Sequence, residues 1–166
     1  MRKLYVAALS LMSALSLLVA PADAAPVTPS LVGTWTLVAA DVQHSDGTRT
    51  QDYGPSPKGL LLIDAQGHYS LQIFKADRSR FASAAKSTGT PAEYEAAVMG
   101  SSTHFGTLDV DPVHGILIFH IECASFPNWE GTEQRRSYEL KGDELSYRVP
   151  ARPNGDTPIS VWRRLK

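Results

Sequence analysis

Cysteine is all but missing from this chain. Cys123 is the single one in 166 residues, so no intramolecular disulfide can form and stability has to come from a packed core. Cys123 closes an apolar run, which suits a small buried apolar residue better than a nucleophile. A surplus of one charge is also missing: 16 Lys and Arg stand against 17 Asp and Glu, and the cations are not clustered. Nucleic acid and anionic membrane surfaces, which need concentrated positive charge, are therefore poor partners. There is no Gly-x-Ser-x-Gly elbow and no Gly-rich phosphate loop. Of the five histidines, His44, His68 and His114 fall at expected turns, and no helical His-x-x-x-His occurs. Only His104, His120 and Glu122 together could hold zinc, a weak set, so no metal and no cofactor is expected.

The one long apolar run lies at the start. Arg2 and Lys3 precede Leu4 to Ala20, and Pro21 and Ala22-Asp23-Ala24 come directly after. This is the layout of a secretory signal peptide over 1–24, with cleavage before Ala25 and export to the periplasm or the medium. About 17 apolar residues also reach the lower limit for a membrane span. Ser10, Ser13 and Ser16 dilute the run, however, and the cleavage site comes at once. Residues 25–30 then form a short extension, and 31–166 are long enough for one domain.

From Leu31 onward the pattern is one of short alternating or apolar runs punctuated by turn residues, as in an antiparallel β protein. LVGTWTLVAADVQH ends at Ser45-Asp46-Gly47, and KGLLLID and HYSLQIFK flank Ala65-Gln66-Gly67. THFGTLDVD, GILIFHIECAS, RRSYELK, DELSYRVP and ISVWRRL complete eight or nine strands in a meander. The exception is TPAEYEAAVMG. Thr90 as cap, Pro91 at the first position, Glu93 early and Gly100 as stop predict one short helix. A meander of this size removes its edges by closing, which predicts an all-β, up-and-down barrel of eight to nine strands.

Gly33-Thr34-Trp35 near the start of the domain, FPNWEGTEQRR over 126–136, and Trp162-Arg163-Arg164 near the end together resemble the bacterial lipocalin-like domain family. The resemblance spans nearly all of the domain. It implies a calycin-type barrel with a central cavity, in which Arg163 or Arg164 packs over the Trp35 indole to close one end. Such folds mostly bind small apolar molecules, and related barrels also host isomerases and cyclases.

Period-two alternation groups Ile116, Ile118, His120 and Glu122 on one face of their strand, and Gln134, Arg136, Tyr138 and Leu140 on one face of the next. If both faces point inward, His120, Glu122 and Arg136 meet at one rim beside Trp129. Arg136 would then pair with a ligand carboxylate or enolate, or be neutralised by Glu122 to close the barrel. His120 would orient the ligand or exchange a proton, or bond a backbone carbonyl. Tyr69, Leu71 and Ile73 share a face, as do Leu145, Tyr147 and Val149, and both sets suit a core or cavity wall. The ligand-binding candidates are thus His120, Glu122, Trp129, Arg136, Tyr138 and Tyr69.

The expectation is an exported, monomeric barrel that binds a small apolar or amphipathic molecule. The alternatives are a metal-independent isomerase or cyclase using His120 or Glu122 as acid or base, and a structural module filled by its own side chains. A cavity above about 300 Å3 separates the last from the other two.

Overall fold

A computed structural model of the protein describes residues 30–166, so the expected signal peptide lies outside the described residues. The strands are β1 (Gly33–Gln43), β2 (Arg49–Thr50), β3 (Lys58–Ile63), β4 (His68–Phe74), β5 (Ser101–Asp111), β6 (Ile116–Ala124), β7 (Glu133–Lys141), β8 (Glu144–Arg148) and β9 (Thr157–Arg164). Helix α1 (Pro91–Met99) is inserted between β4 and β5. All neighbouring strands pair antiparallel, and β1 pairs with both β3 and β9, so eight strands close into a barrel with β2 appended to the end of β1. Closure is the expected remedy for exposed edges, and among the described residues it leaves the two-residue β2 as the terminal strand of the sheet.

The helix starts where its sequence predicts. Thr90 Oγ1 accepts from the Glu93 amide at 3.3 Å, and the Glu93 carboxylate accepts from the Thr90 amide at 2.7 Å, which completes a capping box. None of its residues is buried. It sits outside the barrel wall and contributes nothing to the core.

The two ends of the barrel differ. At one end Leu31, Trp35, Leu61, Leu145 and Trp162 are fully buried and fill the interior. There the Arg164 guanidinium lies 4.0 Å from the Trp35 ring centre, and Trp35 Nε1 donates to the Leu31 carbonyl at 3.1 Å. Arg164 is thus the basic residue that caps the indole, and such stacking is worth about 0.5 to 2 kcal/mol. The other end is a mouth. The long connections 44–57, 75–100, 125–132 and 149–156 all gather there, because β1, β4, β6 and β8 end at the mouth and the antiparallel β3, β5, β7 and β9 start from it.

A break in strand register shapes the wall near the mouth. Between β5 and β6 the register shifts at Phe105/Gly106: Gly106 pairs with Ile121 and Phe105 with Cys123, which leaves Glu122 as the extra residue of a β-bulge. Gly106 is required there, because a Cβ would lie 2.0 Å from the His120 carbonyl oxygen.

Candidate functional site

The barrel is hollow in its mouth half. A cavity of about 370 Å3 is walled by Ala40, Val42, Leu71, Ile73, Val149 and Pro158, with Tyr53, Trp129 and Tyr147 as its aromatic members. The polar side chains in the wall are few: Asp41, which pairs with Arg49 at 3.3 Å, Ser102, His104, Gln134, Arg136 and Ser160, with Asp52 and Arg152 at the rim. The volume lies within the range of small-molecule sites, and it excludes a barrel filled throughout by its own side chains.

Alternation along β7 turns Gln134, Arg136, Tyr138 and Leu140 inward, as the sequence pattern indicates. Arg136 is 4% exposed. Its guanidinium carbon lies 4.1 Å from the Phe119 ring centre and 5.0 Å from that of Tyr147. One nitrogen, Nη2, makes both of its hydrogen bonds, to His104 Nε2 at 3.1 Å and to Gln134 Oε1 at 2.8 Å. Nε is buried without a partner. Among the described residues no carboxylate forms an ion pair with Arg136. The alternative in which Glu122 neutralises it is therefore absent from the barrel.

His104 is the second member of the cluster. Arginine can only donate, so the Nε2 that meets Arg136 is bare, and the ring proton sits on Nδ1, which donates to Tyr69 Oη at 2.8 Å. Burial, and then the adjacent Arg136 charge, push the His104 pKa down to about 3. The imidazole is neutral at ordinary pH and both its nitrogens are occupied. Burial raises the Tyr69 phenol, so it too stays protonated. A further buried donor without a partner, Tyr147 Oη, belongs to a residue that lines the same cavity.

Trp129 stands at the mouth, edge-on to His104 with ring centres 6.2 Å apart and edge-on to Phe126 at 5.5 Å. The segment that carries it is tied down. Gly131 donates to the Ile121 carbonyl at 2.8 Å, and the Thr132 hydroxyl donates to the Trp129 carbonyl at 2.6 Å. The Glu130 carboxylate accepts from the Ala124 amide at 3.2 Å and from the Cys123 thiol at 3.3 Å. Cys123 is exposed rather than buried as expected, because the register shift pairs it with the outward Phe105. The Glu130 contact pushes its pKa up, so the thiol is disfavoured as a thiolate.

His120 and Glu122 do not join the cluster, which corrects the inward orientation expected for them. Leu117 pairs with Arg136 and Phe119 with Gln134, so the inward face of β6 is Leu117, Phe119 and Ile121. His120 pairs instead with Glu133 on the outer face, where Nε2 meets Asp109 Oδ2 at 2.9 Å and Nδ1 lies 3.9 Å from Glu133 Oε2. Glu122, displaced by the bulge, is exposed. The residue that sequence reasoning passes over is His104, which it weighs only as a metal ligand. Its signal is present: His104, Gly106, Leu108 and Val110 alternate, and the apolar pair marks the inner face. Among the described residues no group of three or more His, Cys, Asp and Glu is arranged to hold a metal ion.

The sequence profile of the lipocalin-like domain family matches residues 32–165. The chain belongs to this family. Among solved structures it is similar to a lipocalin-like protein from Bacteroides uniformis, at 16% identity over 82% of this chain and 99% of that one, with a TM-score of 0.41. It is also similar to a variant of the fluorescent protein UnaG, at 13% identity over 81% of this chain and 95% of that one, with a TM-score of 0.37. No curated protein matches by sequence. No helix among the described residues of this lipocalin-like domain is long and apolar enough to cross a membrane.

Proposed function

We propose that this lipocalin-like protein is exported and, as a monomer, binds a small apolar or amphipathic molecule in the mouth half of its barrel. The observation that carries the reading is the 370 Å3 cavity, apolar in most of its wall, with a few convergent polar groups at one level. Export is supported by the basic, apolar and small-residue segments of 1–24. Binding is favoured over a proton-transfer reaction by the position of the ionisable groups. His120 and Glu122 stand outside the cavity, and His104 inside it is neutral, with both nitrogens engaged. A general acid or base needs a pKa near the working pH and a free position toward the substrate, and His104 has neither.

The test is displacement of a neutral, environment-sensitive dye such as Nile red by small apolar compounds. The dye should bind the wild type. Val149→Trp, which fills the cavity from its own wall, should abolish that binding while the protein still melts cooperatively. Equal dye binding by both proteins would place the dye elsewhere and refute the cavity as the binding site.

A further inference from the structure

We infer that the molecule taken up is a monocarboxylic acid with an apolar body, seated acid end down, its carboxylate on Arg136 and its body rising toward the mouth. This rests on the cavity reading above and adds the chemical class and the orientation of the ligand.

Unfilled donors on Arg136 point to the acid. A guanidinium carries five N–H groups. The two on Nη2 are used by His104 and Gln134, both neutral acceptors, and the remaining three, on Nε and Nη1, are left over. A buried cation that lacks both a counter-charge and part of its hydrogen bonding is a costly arrangement for folding alone. It becomes favourable when an anion arrives, because a charge-assisted hydrogen bond in an apolar cavity is strong. The Phe119 and Tyr147 rings flank the guanidinium and hold it in place, so little side-chain entropy remains to be lost on binding. The unpartnered Tyr147 hydroxyl adds a neutral donor nearby.

The charge inside the barrel limits the ligand to one negative charge. His104 is uncharged and the lining carboxylate of Asp41 is paired with Arg49, so among the described residues the buried wall offers a single free cation, and a second anionic group would be stranded among Leu71, Ile73 and Val42. A phosphate monoester or a dicarboxylate is thereby disfavoured. Orientation is set by what lies on either side of Arg136. Below it the barrel is filled by Leu117, Leu61, Trp35 and Trp162. Above it, over about 10 Å of strand, the cavity opens to the rim. The rival cation, Arg152, is exposed at that rim, where water already solvates it and an ion pair gains little.

The experiment compares decanoate with decan-1-ol, which share a chain and differ in charge, by calorimetric titration at pH 7.5 into the wild type, Arg136→Met and Arg136→Lys. Arg136→Met keeps an unbranched side chain as far as the position of Nε and removes the charge, and thermal melts confirm that each variant folds. The wild type should prefer the acid by about tenfold to hundredfold. Arg136→Met should lose that preference while still binding the alcohol, and Arg136→Lys should restore part of it. Equal affinity of the wild type for acid and alcohol, or a preference that survives in Arg136→Met, would overturn the acid assignment and leave the cavity reading standing. Failure of both compounds to bind the wild type would overturn both.

Discussion

Two arginines stacked on aromatic rings, Arg136 buried and Arg164 half-buried, divide the barrel between them, and they are satisfied in different ways. Arg164, at the closed end, covers Trp35 and donates from Nη1 to the Val32 carbonyl at 2.7 Å and from Nη2 to the Ser30 carbonyl, with Asp143 3.8 Å from Nε. Backbone acceptors and a carboxylate account for it. Arg136, in the mouth half, has rings on its faces but only neutral acceptors on one nitrogen and a buried Nε with none. The contrast separates a guanidinium whose work is finished when the chain folds from one left incomplete. Residue type and ring stacking do not distinguish them. The partners of each nitrogen do.

If the closed end is purely structural, its mutants should lose stability without losing selectivity. Trp35→Ala should cost about 3 to 5 kcal/mol in urea unfolding, because a fully buried indole leaves a large cavity behind. Arg164→Met should cost about 2 kcal/mol, the sum of lost stacking and two carbonyls deprived of their donor. Neither variant, where folded, should change the ratio of acid to alcohol affinity.

The pH response belongs to the mouth half. The unfolded chain takes up a proton on His104 near pH 6.5, whereas the folded chain refuses it until about pH 3. Stability that is present above pH 6.5 is therefore lost as pH falls through that window, at up to about 1.4 kcal/mol per pH unit. His104→Gln, which can still accept from Arg136, should remove this part of the slope when urea midpoints at pH 7 and pH 4.5 are compared. An unchanged slope would mean that His104 is charged in the folded protein.

The smallest effect on stability is expected at Arg136 itself. Arg136→Met should change the unfolding free energy by no more than about 1 kcal/mol in either direction, since a buried charge without a partner gives way to an apolar side chain. Ligand should then favour the wild type. Decanoate at one hundred times its dissociation constant should stabilise the wild type by about 2.7 kcal/mol, and Arg136→Met by far less at the same concentration.

Much of the barrel is legible in the sequence, and the exceptions have physical causes. β4, β7 and β8 show polar and apolar residues in clean alternation, so Tyr69, Arg136 and Tyr147 can be turned inward from sequence alone. The capping box at Thr90 and the Trp35 stacking partner near the C-terminus rest on short-range or single-residue signals, and both are present in the fold. β6 misleads because Ile116 to Ile121 is apolar on both faces apart from His120, so alternation does not choose between them. The choice is made by pairing with β7. Once Arg136 faces inward, its cross-strand partner Leu117 must as well, and His120 is carried outside. The β-bulge at Gly106 then removes Glu122 from either face, and only the close approach of two backbones marks that position.

The most direct test of an acid-binding Arg136 is a crystal structure of the protein with decanoate bound. The expected result is a carboxylate oxygen within hydrogen-bonding distance of Arg136 Nε or Nη1, with the chain running past Trp129 and Ile73 toward the mouth. A decanoate found with its carboxylate at the rim beside Arg152 and its tail directed inward, leaving Arg136 Nε unpaired, would contradict it.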